Sequence, residues 1–244
     1  MDPEVRMDPQ ALDLVLDLSQ ADAVIDLRER QRRASTVTGL LAARRWQLAL
    51  KRTVDIVGSA FGLILLSPLL LVAAVAVKAS SPGPVVYVSE RVGRRGRPFR
   101  MVKFRSMIHG AHGSRDHHGH LNIHDSGPVF KIRDDPRVTR VGRLLRRCSI
   151  DELPQLWNVL RGDMSLVGPR PERAFFIERH KALQGVRLAV KPGLTGLAQV
   201  RSYYDLKPAH KVKYDYLYIQ NRSFFLNLYI LLQTIPVLFE KKGW

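Results

Sequence analysis

The 244-residue chain, with 45% hydrophobic residues, can bury a sizeable core, which excludes a globally disordered protein and predicts one domain with an appendage. Its 39 Lys and Arg against 22 Asp and Glu give a net charge of +17, which predicts anionic partners: nucleic acid, phosphate-bearing substrates or acidic lipids. The single cysteine, Cys148, excludes an internal disulfide framework and is typical of a reducing, cytoplasmic environment.

Residues 1–45 precede the first long apolar segment and are expected to form an N-terminal extension. They carry acidic residues where a secretory signal peptide carries lysines, and no apolar core follows, so the sequence predicts no signal peptide. Within them, residues 11–33 are acidic and apolar in the first half and basic in the second. This pattern predicts a docking or capping helix without chemistry of its own.

The next segment, residues 56–77, carries no charged side chain and is long enough to span a bilayer as one helix. Ser67 and Pro68 lie at its centre, where proline breaks or kinks a helix. Each half has about eleven residues, or roughly 16 Å of helix, which reaches about one leaflet. Basic residues flank both ends, and positive charge marks the cytoplasmic side of a membrane.

These features predict a re-entrant helix-break-helix hairpin over residues 46–80, which enters and leaves the membrane on its cytoplasmic face. The Ser67 hydroxyl is expected to bond a backbone carbonyl that is freed at the break. Two alternatives remain open: a single full span, and a buried, kinked core helix of a soluble protein.

Residues 81–244 are expected to form a small cytoplasmic domain of the α+β class, mainly helical. Residues 85–88 and 99–104 predict two short strands. Six histidines occur in the polar residues 109–128, at positions 109, 112, 117, 118, 120 and 124. Their spacing matches no standard zinc site, which favours a surface loop over a metal cluster.

Three further helical regions are predicted in this domain. Apolar residues recur at helical spacing over residues 138–160, and Gly162 is placed to end that helix. Residues 172–190 can form another helix. Residues 209–240 predict a helix pair whose apolar, aromatic second part lies in the membrane interface.

Two carboxylates, Asp151 and Glu152, stand side by side among several arginines. One interpretation is helix capping, either by a box of Ser149 and Glu152 or by Asp151 with Pro154 in the first turn. Another is chemistry, because a helix N-terminus and nearby arginines would lower the pKa of Asp151 and keep it ionised. An ionised aspartate suits a nucleophile or a Mg²⁺ ligand, and Glu152 would add a second ligand or an acid–base group.

The order of the motifs resembles that of the bacterial sugar transferases known as monotopic phosphoglycosyl transferases, in their compact form. The resemblance covers about residues 51–236 and is carried by the stretches KRTVDIVGSAFGLILLSPLLL, SPGPVVYVSERVGRRGRPFRMVKFRSM, DPRVTRVGRLLRRCSIDELPQLWNVLRGDMSLVGPRPE and KPGLTGLAQV. It implies a re-entrant hairpin that anchors the enzyme on the cytoplasmic face of the bacterial inner membrane. It also implies transfer of a sugar-1-phosphate from a UDP-sugar to undecaprenyl phosphate, with UMP and a polyprenyl diphosphate sugar as products.

The same resemblance implies roles for individual residues. The catalytic acid pair falls on Asp151 and Glu152, with Asp151 as the nucleophile that forms a covalent aspartyl phosphosugar. Mg²⁺ is expected at Asp151 and Glu152, and Glu152 assists either that metal or a proton transfer. Substrate-binding roles fall on six residues: Lys103, Arg105, Arg146, Pro169, Arg170 and Pro171. The chain departs from the family pattern at Asn227, where many members have Asp.

Two other functions compete with this one. A nucleic-acid-binding protein would explain the positive charge but not residues 56–77, so no nucleic-acid partner is expected. A non-catalytic membrane scaffold of the same fold would bind anionic lipid or polysaccharide-assembly partners without using the acid pair. The sequence leaves open the donor sugar, the surface-glycan pathway and the oligomeric state, a homo-oligomer included.

Overall fold

The computed structural model of this chain describes residues 45–111, 135–179, 183–201 and 208–239. The helix predicted over residues 11–33 and most of the histidine-rich segment lie outside these ranges. Within them the fold is of the α+β class and mainly helical, with helices packed around two small two-stranded sheets. The α+β, mainly helical part of the predicted fold class is therefore confirmed.

A bent helix pair opens the described chain. Helix α1 spans Arg45–Leu65, helix α2 spans Ser67–Ser80, and the pair is bent by 62° at the break. Pro68 lies in the first turn of α2, where backbone N–H groups have no partner within the helix, so the missing N–H of proline costs α2 no hydrogen bond. The Ser67 hydroxyl donates to the Ile64 carbonyl at 2.7 Å. The predicted break at Ser67 and Pro68 and the predicted bond from Ser67 are both confirmed.

Helix α1 has 21 residues because it also includes residues 45–55, a stretch of mixed charged and apolar side chains, whereas α2 has 14. No single helix in the described ranges has the length and apolarity to cross a membrane, but the bent pair taken together does. Several large apolar side chains of the pair point away from the protein: Phe61, Ile64, Leu65, Leu71, Val72 and Val75.

The first sheet is an antiparallel hairpin of strands β1 (Val86–Val92) and β2 (Pro98–Phe104). Both predicted strands are confirmed, and β1 continues further than predicted because its ladder runs along the whole of β2. The register places Tyr87 opposite Lys103, which fixes the backbone position of Lys103 one residue before the end of β2.

The region predicted as one helix over residues 138–160 is broken in the structure. Helix α3 spans Arg140–Arg147 and helix α4 spans Gln155–Arg161, with a one-turn 3₁₀ helix at Ile150–Glu152 between them. The prediction of a continuous helix is wrong because Ser149 has a left-handed backbone, with φ 55° and ψ 18°, which a regular helix does not accept.

The second sheet is a parallel pair of short strands, β3 (Ser165–Val167) and β4 (Gly193–Thr195). The elements around it are helix α5 (Ala174–Arg179), a 3₁₀ turn (Gly185–Ala189), helix α6 (Leu197–Arg201), helix α7 (Pro208–Gln220) and helix α8 (Phe224–Phe239). Their buried apolar residues form one core: Val167, Val186, Val190, Val200, Tyr218, Ile219 and Ile230.

Three boundary predictions can be compared with these elements. Gly162 ends α4 in the left-handed conformation expected of a C-terminal glycine, with φ 98°. The helix pair predicted over residues 209–240 is confirmed by α7 and α8. The single helix predicted over residues 172–190 is wrong in extent, because α5 is only six residues long and a 3₁₀ turn occupies residues 185–189.

Polar bonds tie helix α1 to strand β3. The buried Asp55 carboxylate accepts hydrogen bonds from the Ser165 hydroxyl at 3.0 Å and from the Leu166 N–H at 2.9 Å. The Lys51 ammonium donates to the Ser165 hydroxyl at 2.5 Å and to the Val167 carbonyl at 3.1 Å. The first helix of the bent pair is therefore joined to the domain by specific polar contacts as well as by packing.

Two further contacts join the bent pair to the domain. Arg52 donates to the Val159 carbonyl at 2.7 Å and to the Leu160 carbonyl at 2.8 Å, which satisfies carbonyl groups in the last turn of α4. Buried apolar residues of α2, β2 and α3 form a second core cluster: Ala73, Val77, Phe104 and Leu145.

Asn158, which is 1% exposed, joins α4 to β2. Its side-chain oxygen accepts from the Val102 N–H at 3.0 Å, and its nitrogen donates to the Arg100 carbonyl at 2.7 Å. Asn158→Ala leaves both backbone groups unpaired and is expected to lower the free energy of unfolding by about 2–4 kcal/mol. Thermal unfolding measures this loss. The control is Asn221→Ala, since Asn221 bonds Leu217 on the surface; equal melting temperatures would contradict the prediction.

Candidate active site

The acid pair lies in the 3₁₀ turn between helices α3 and α4. Neither acid caps a helix: the residue before the turn, Ser149, makes no side-chain cap bond, and Pro154 occupies the N-terminal cap position of α4. The capping interpretation is therefore wrong, because the left-handed backbone of Ser149 inserts a separate turn before α4 begins. Both acids instead face residues from other elements.

Glu152 is held by two cations. Lys103 of β2 donates to its Oε1 at 2.7 Å, and Arg170 donates to Oε2 through Nη1 at 3.0 Å and to Oε1 through Nη2. Burial opposes ionisation of Glu152, but the charges of Arg170 and Lys103 outweigh it and hold the pKa of Glu152 well below its usual range. Glu152 is therefore an ionised, fixed carboxylate.

Asp151 has a different environment from its neighbour. Its side chain is buried, with the residue 8% exposed, and its carboxylate accepts no hydrogen bond from the described residues. Burial and the adjacent Glu152 charge raise the pKa of Asp151, although Lys103, Arg146 and Arg170 act in the opposite direction. The predicted lowering of its pKa is wrong, because burial outweighs the nearby cations.

The two adjacent carboxyl groups therefore have their pKa values pushed apart by their surroundings. Such a separation is typical of sites in which two acids have different tasks. Glu152 accepts hydrogen bonds from Lys103 and Arg170, whereas no residue in the described part of the chain donates one to the Asp151 carboxylate. In chemical terms, Asp151 is the member of the pair that can attack an electrophile or bind an incoming cation.

Arg146 approaches the acid pair from helix α3. Its Nε donates to the Ser106 hydroxyl at 2.8 Å. This approach needs Gly142, because a Cβ at that position would lie 1.9 Å from the Ser106 carbonyl oxygen. Burial lowers the pKa of Arg146, and the charges of Asp151 and Asp135 oppose that shift. Arg146 therefore adds positive charge near Asp151 from a third element.

The Pro169–Arg170–Pro171 loop follows strand β3 and carries Arg170 to Glu152. Arg187 of the 3₁₀ turn holds the backbone of this loop by donating its Nη2 to the Arg170 carbonyl at 2.5 Å. On its other side, Arg187 donates Nε to the Asp215 carboxylate of α7 at 2.7 Å. Proline at positions 169 and 171 further limits the backbone, since each ring fixes φ.

Arg105 lies apart from this cluster in its contacts. Its Nη2 donates to the Ser81 carbonyl at 2.6 Å, the Ser81 hydroxyl at 3.0 Å and the Val77 carbonyl at 3.2 Å. These are backbone and side-chain groups at the C-terminal end of α2. The structure therefore brings together Asp151, Glu152, Lys103, Arg146 and Arg170, whereas Arg105 holds the end of the bent pair.

Sequence reasoning missed three residues that support the site: Asn158, Arg187 and Asp215. Their partners are far away in the chain: Arg187 and Asp215 are 28 positions apart, and Asn158 and Arg100 are 58 positions apart. Arg187 did leave a signal, because it stands within the apolar stretch GVRLAV, where a charge is costly unless it is paired.

Mg²⁺ is compatible with this site through Asp151. Proteins commonly hold Mg²⁺ by one or two carboxylates together with substrate phosphates, rather than by a complete cage of side chains. Among the described residues, no group of three or more His, Cys, Asp or Glu side chains is arranged as a metal site. Asp151 has free acceptor capacity, whereas both Glu152 oxygens already accept hydrogen bonds from Lys103 and Arg170.

A sequence profile of the bacterial sugar transferase family matches residues 46–241, which include the bent pair and all the elements that follow it. The chain is 42% identical over 200 residues to a UDP-N-acetylgalactosamine-undecaprenyl-phosphate N-acetylgalactosaminephosphotransferase of Aeromonas hydrophila. It is 41% identical over 196 residues to a UDP-glucose:undecaprenyl-phosphate glucose-1-phosphate transferase of Klebsiella pneumoniae. A third relative, the exopolysaccharide production protein ExoY of Rhizobium meliloti, is 38% identical over 196 residues.

These matches differ in how much of each relative they cover. They include 80%, 77% and 79% of this chain in the order given. They include 44% of the Aeromonas protein and 40% of the Klebsiella protein, but 87% of the Rhizobium protein. The chain therefore spans less than half the length of two of these relatives and most of the third.

Proposed function

The chain belongs to the bacterial sugar transferase family, and from that premise we propose that it transfers a sugar-1-phosphate from a UDP-sugar to undecaprenyl phosphate. Relatives named for this kind of reaction support the proposal, and they carry different sugars in their names. The observation that carries it furthest is the asymmetric acid pair. Glu152 is fixed by two cations, whereas the adjacent Asp151 is buried and its carboxylate accepts no hydrogen bond from the described residues.

The first half-reaction uses Asp151 as the nucleophile. One of its carboxylate oxygens attacks the phosphorus that bears the sugar, and the bond from that phosphorus to the bridging oxygen of the diphosphate breaks. UMP leaves with the electron pair, and an aspartyl phosphosugar remains. Charge neutralisation and positioning dominate such a transfer, and Lys103, Arg146 and Arg170 supply the positive charge.

The second half-reaction returns the enzyme to its starting state. A phosphate oxygen of undecaprenyl phosphate attacks the same phosphorus, the bond to Asp151 breaks, and undecaprenyl diphosphate sugar is released with the carboxylate restored. This ping-pong order allows a water-soluble donor and a lipid acceptor to use one site in turn. It requires UMP to leave before the lipid phosphate reacts.

Glu152 acts in this proposal by holding Lys103 and Arg170 in place for the donor. Both Glu152 oxygens already accept hydrogen bonds from Lys103 or Arg170, so Asp151 is the residue that would hold Mg²⁺. When bound, the metal would neutralise charge on the diphosphate.

The proposed location is the cytoplasmic face of the bacterial inner membrane, with the bent pair inserted as a re-entrant hairpin. Its outward apolar surface supports this, since Phe61 is 64% exposed, Ile64 74% and Leu71 67%. Helix α8 presents a second apolar surface that includes Phe225, which suits the membrane interface. Basic residues around both surfaces are proposed to contact anionic lipids.

Ile64→Asp tests the insertion. A carboxylate at the turn of the hairpin is expected to cost about 2.5–3.5 kcal/mol of insertion free energy, which is roughly a hundredfold in partitioning. Flotation with vesicles of bacterial phospholipid measures the bound fraction. The control is Val88→Asp, which adds the same charge at an exposed apolar position of β1. Equal flotation of the two variants would contradict insertion at this turn.

Release of UMP from a panel of UDP-sugars tests the reaction itself. The assay contains undecaprenyl phosphate and Mg²⁺ in detergent, with and without a chelator. We expect release with one preferred donor, and we expect the chelator to reduce it. If well-folded protein releases UMP from no donor, the proposed reaction fails, and a non-catalytic membrane scaffold of the same fold becomes the better interpretation.

A further inference from the structure

We propose that Arg187 is a positioning residue for the donor site, acting through the backbone of Arg170; this inference rests on the proposed function. Arg187 is 7% exposed and lies in the 3₁₀ turn Gly185–Ala189, away from the acid pair in the chain. It makes no contact with the acid pair in the described structure. Its effect on the site runs through the loop that carries Arg170.

Three elements meet at the Arg187 guanidinium. Nε donates to the Asp215 carboxylate of α7 at 2.7 Å, and Nη2 donates to the Arg170 carbonyl at 2.5 Å. The Glu172 carboxylate lies 3.9 Å from Nη2. One buried cation therefore connects helix α7 to both sides of Pro171, in the middle of the loop.

The chemistry of this contact is specific to arginine. The planar guanidinium offers donors along two edges, so one edge can pair with Asp215 while another bonds the Arg170 carbonyl. A lysine ammonium is a single point charge and is too compact to keep both partners at these distances. Burial of the charge is tolerated because Asp215, itself 3% exposed, balances it.

Two contacts in series link Arg187 to the acid pair. The Arg187 bond fixes the carbonyl of Arg170, and the Arg170 side chain then reaches Glu152 from a fixed backbone. The Arg170 side chain is 36% exposed, so a shift of its backbone is not blocked by packing on every side. Without Arg187, the loop backbone and hence the Arg170 guanidinium would be held less firmly at the place where the donor binds.

Steady-state kinetics of Arg187→Lys test this inference. The KM for the UDP-sugar is expected to rise about 10-fold to 100-fold, whereas the KM for undecaprenyl phosphate stays within about twofold. Arg170→Lys should give the same pattern. The double variant should lose little more than either single variant, because the two residues act in series. Losses that multiply in the double variant would overturn the inference.

Arg201→Lys is the matched control. Arg201 also joins two elements, donating Nη2 to the Tyr229 hydroxyl at 2.8 Å between α6 and α8, but it has no contact with the Arg170 loop. A charge-swapped pair, Arg187→Asp with Asp215→Arg, is the second control. The swap restores the ion pair with α7 but not the bond to the Arg170 carbonyl. Compared with Arg187→Asp alone, it should therefore have a higher melting temperature but an equally raised KM for the UDP-sugar.

Hydrogen–deuterium exchange supplies a readout that does not depend on turnover. The amides of residues 165–173 should exchange at least about tenfold faster in Arg187→Lys than in the wild type. In Arg201→Lys their exchange rate should equal that of the wild type. Unchanged exchange in Arg187→Lys would overturn the positioning role. If Arg187→Lys exchanges faster but the wild type releases no UMP from any donor, the positioning contact stands and the proposed reaction fails.

Discussion

Asp151→Asn is expected to reduce UMP release by at least about a thousandfold, because the amide cannot form the aspartyl phosphosugar. The same change should leave the protein folded and no less stable than the wild type. Burial and the neighbouring Glu152 charge raise the pKa of Asp151, so its ionised form is unfavourable in the folded state. Measured on the same sample, Asp151→Asn should therefore lose activity but keep at least the melting temperature of the wild type.

The sign of the pH dependence provides a second check on Asp151. A raised folded pKa means that this group stabilises the fold below its usual pKa of 3.8 and loses that contribution as the pH rises through the folded value. The stability advantage of Asp151→Asn should therefore be present at neutral pH and fade on acidification. Asp163→Asn, which changes a partly exposed aspartate outside the acid pair, is the control, with unchanged activity expected. Wild-type activity in Asp151→Asn would reject the assigned nucleophile.

Glu152→Gln is expected to have the opposite effect on stability. It keeps the shape of the side chain but removes the charge that balances Lys103 and Arg170. Removing one partner of a buried ion pair lowers the free energy of unfolding by about 3–5 kcal/mol, and because Arg170 is partly exposed we expect a loss of about 2–4 kcal/mol here. UMP release should fall about a hundredfold, because two cations of the donor site lose their anchor.

The pH dependence of this variant also differs from that of Asp151→Asn. The pKa of Glu152 lies below its usual 4.5, so its contribution to stability is present above that value and is lost as the pH falls towards the folded pKa. The melting temperature of the wild type should fall on acidification below about pH 5, and that of Glu152→Gln should fall less. Glu178→Gln, which changes an exposed carboxylate of α5, is the control. Identical acid profiles for wild type and Glu152→Gln would contradict the assignment.

The parts of this fold that could be predicted depend on local sequence. The break at Ser67 and Pro68 and the strands after it follow from proline chemistry and from short apolar runs, which act within a few residues. The turn at residues 150–152 was only partly predictable: the capping interpretation placed a helix start near Ser149 or Asp151, but helical spacing continues through this region and gives no sign of a separate turn. Its cause is the left-handed backbone at Ser149, a conformation that serine adopts rarely and that the neighbouring residues do not indicate.

The acid pair shows the same division between local and distant causes. Its adjacency to arginines is visible in the sequence, and that led to a lowered pKa being predicted for Asp151. The observed direction depends on burial, which is created by elements that meet only in the folded chain. The Arg187 contact with Asp215 is likewise beyond local reasoning, because α7 is brought to the loop by the core around Tyr218.

The bonds between helix α1 and strand β3 have a practical consequence for protein engineering. Deleting residues 46–80 to obtain a water-soluble enzyme would remove more than the proposed membrane anchor. It would remove the Asp55 carboxylate, which accepts the hydrogen bonds of Ser165 and Leu166, and it would remove Arg52, which bonds the last carbonyl groups of α4. It would also expose the apolar cluster around Phe104. Solubilisation by redesigning only the outward apolar side chains, with the inward face of the pair left unchanged, is the route that preserves the catalytic half of the molecule.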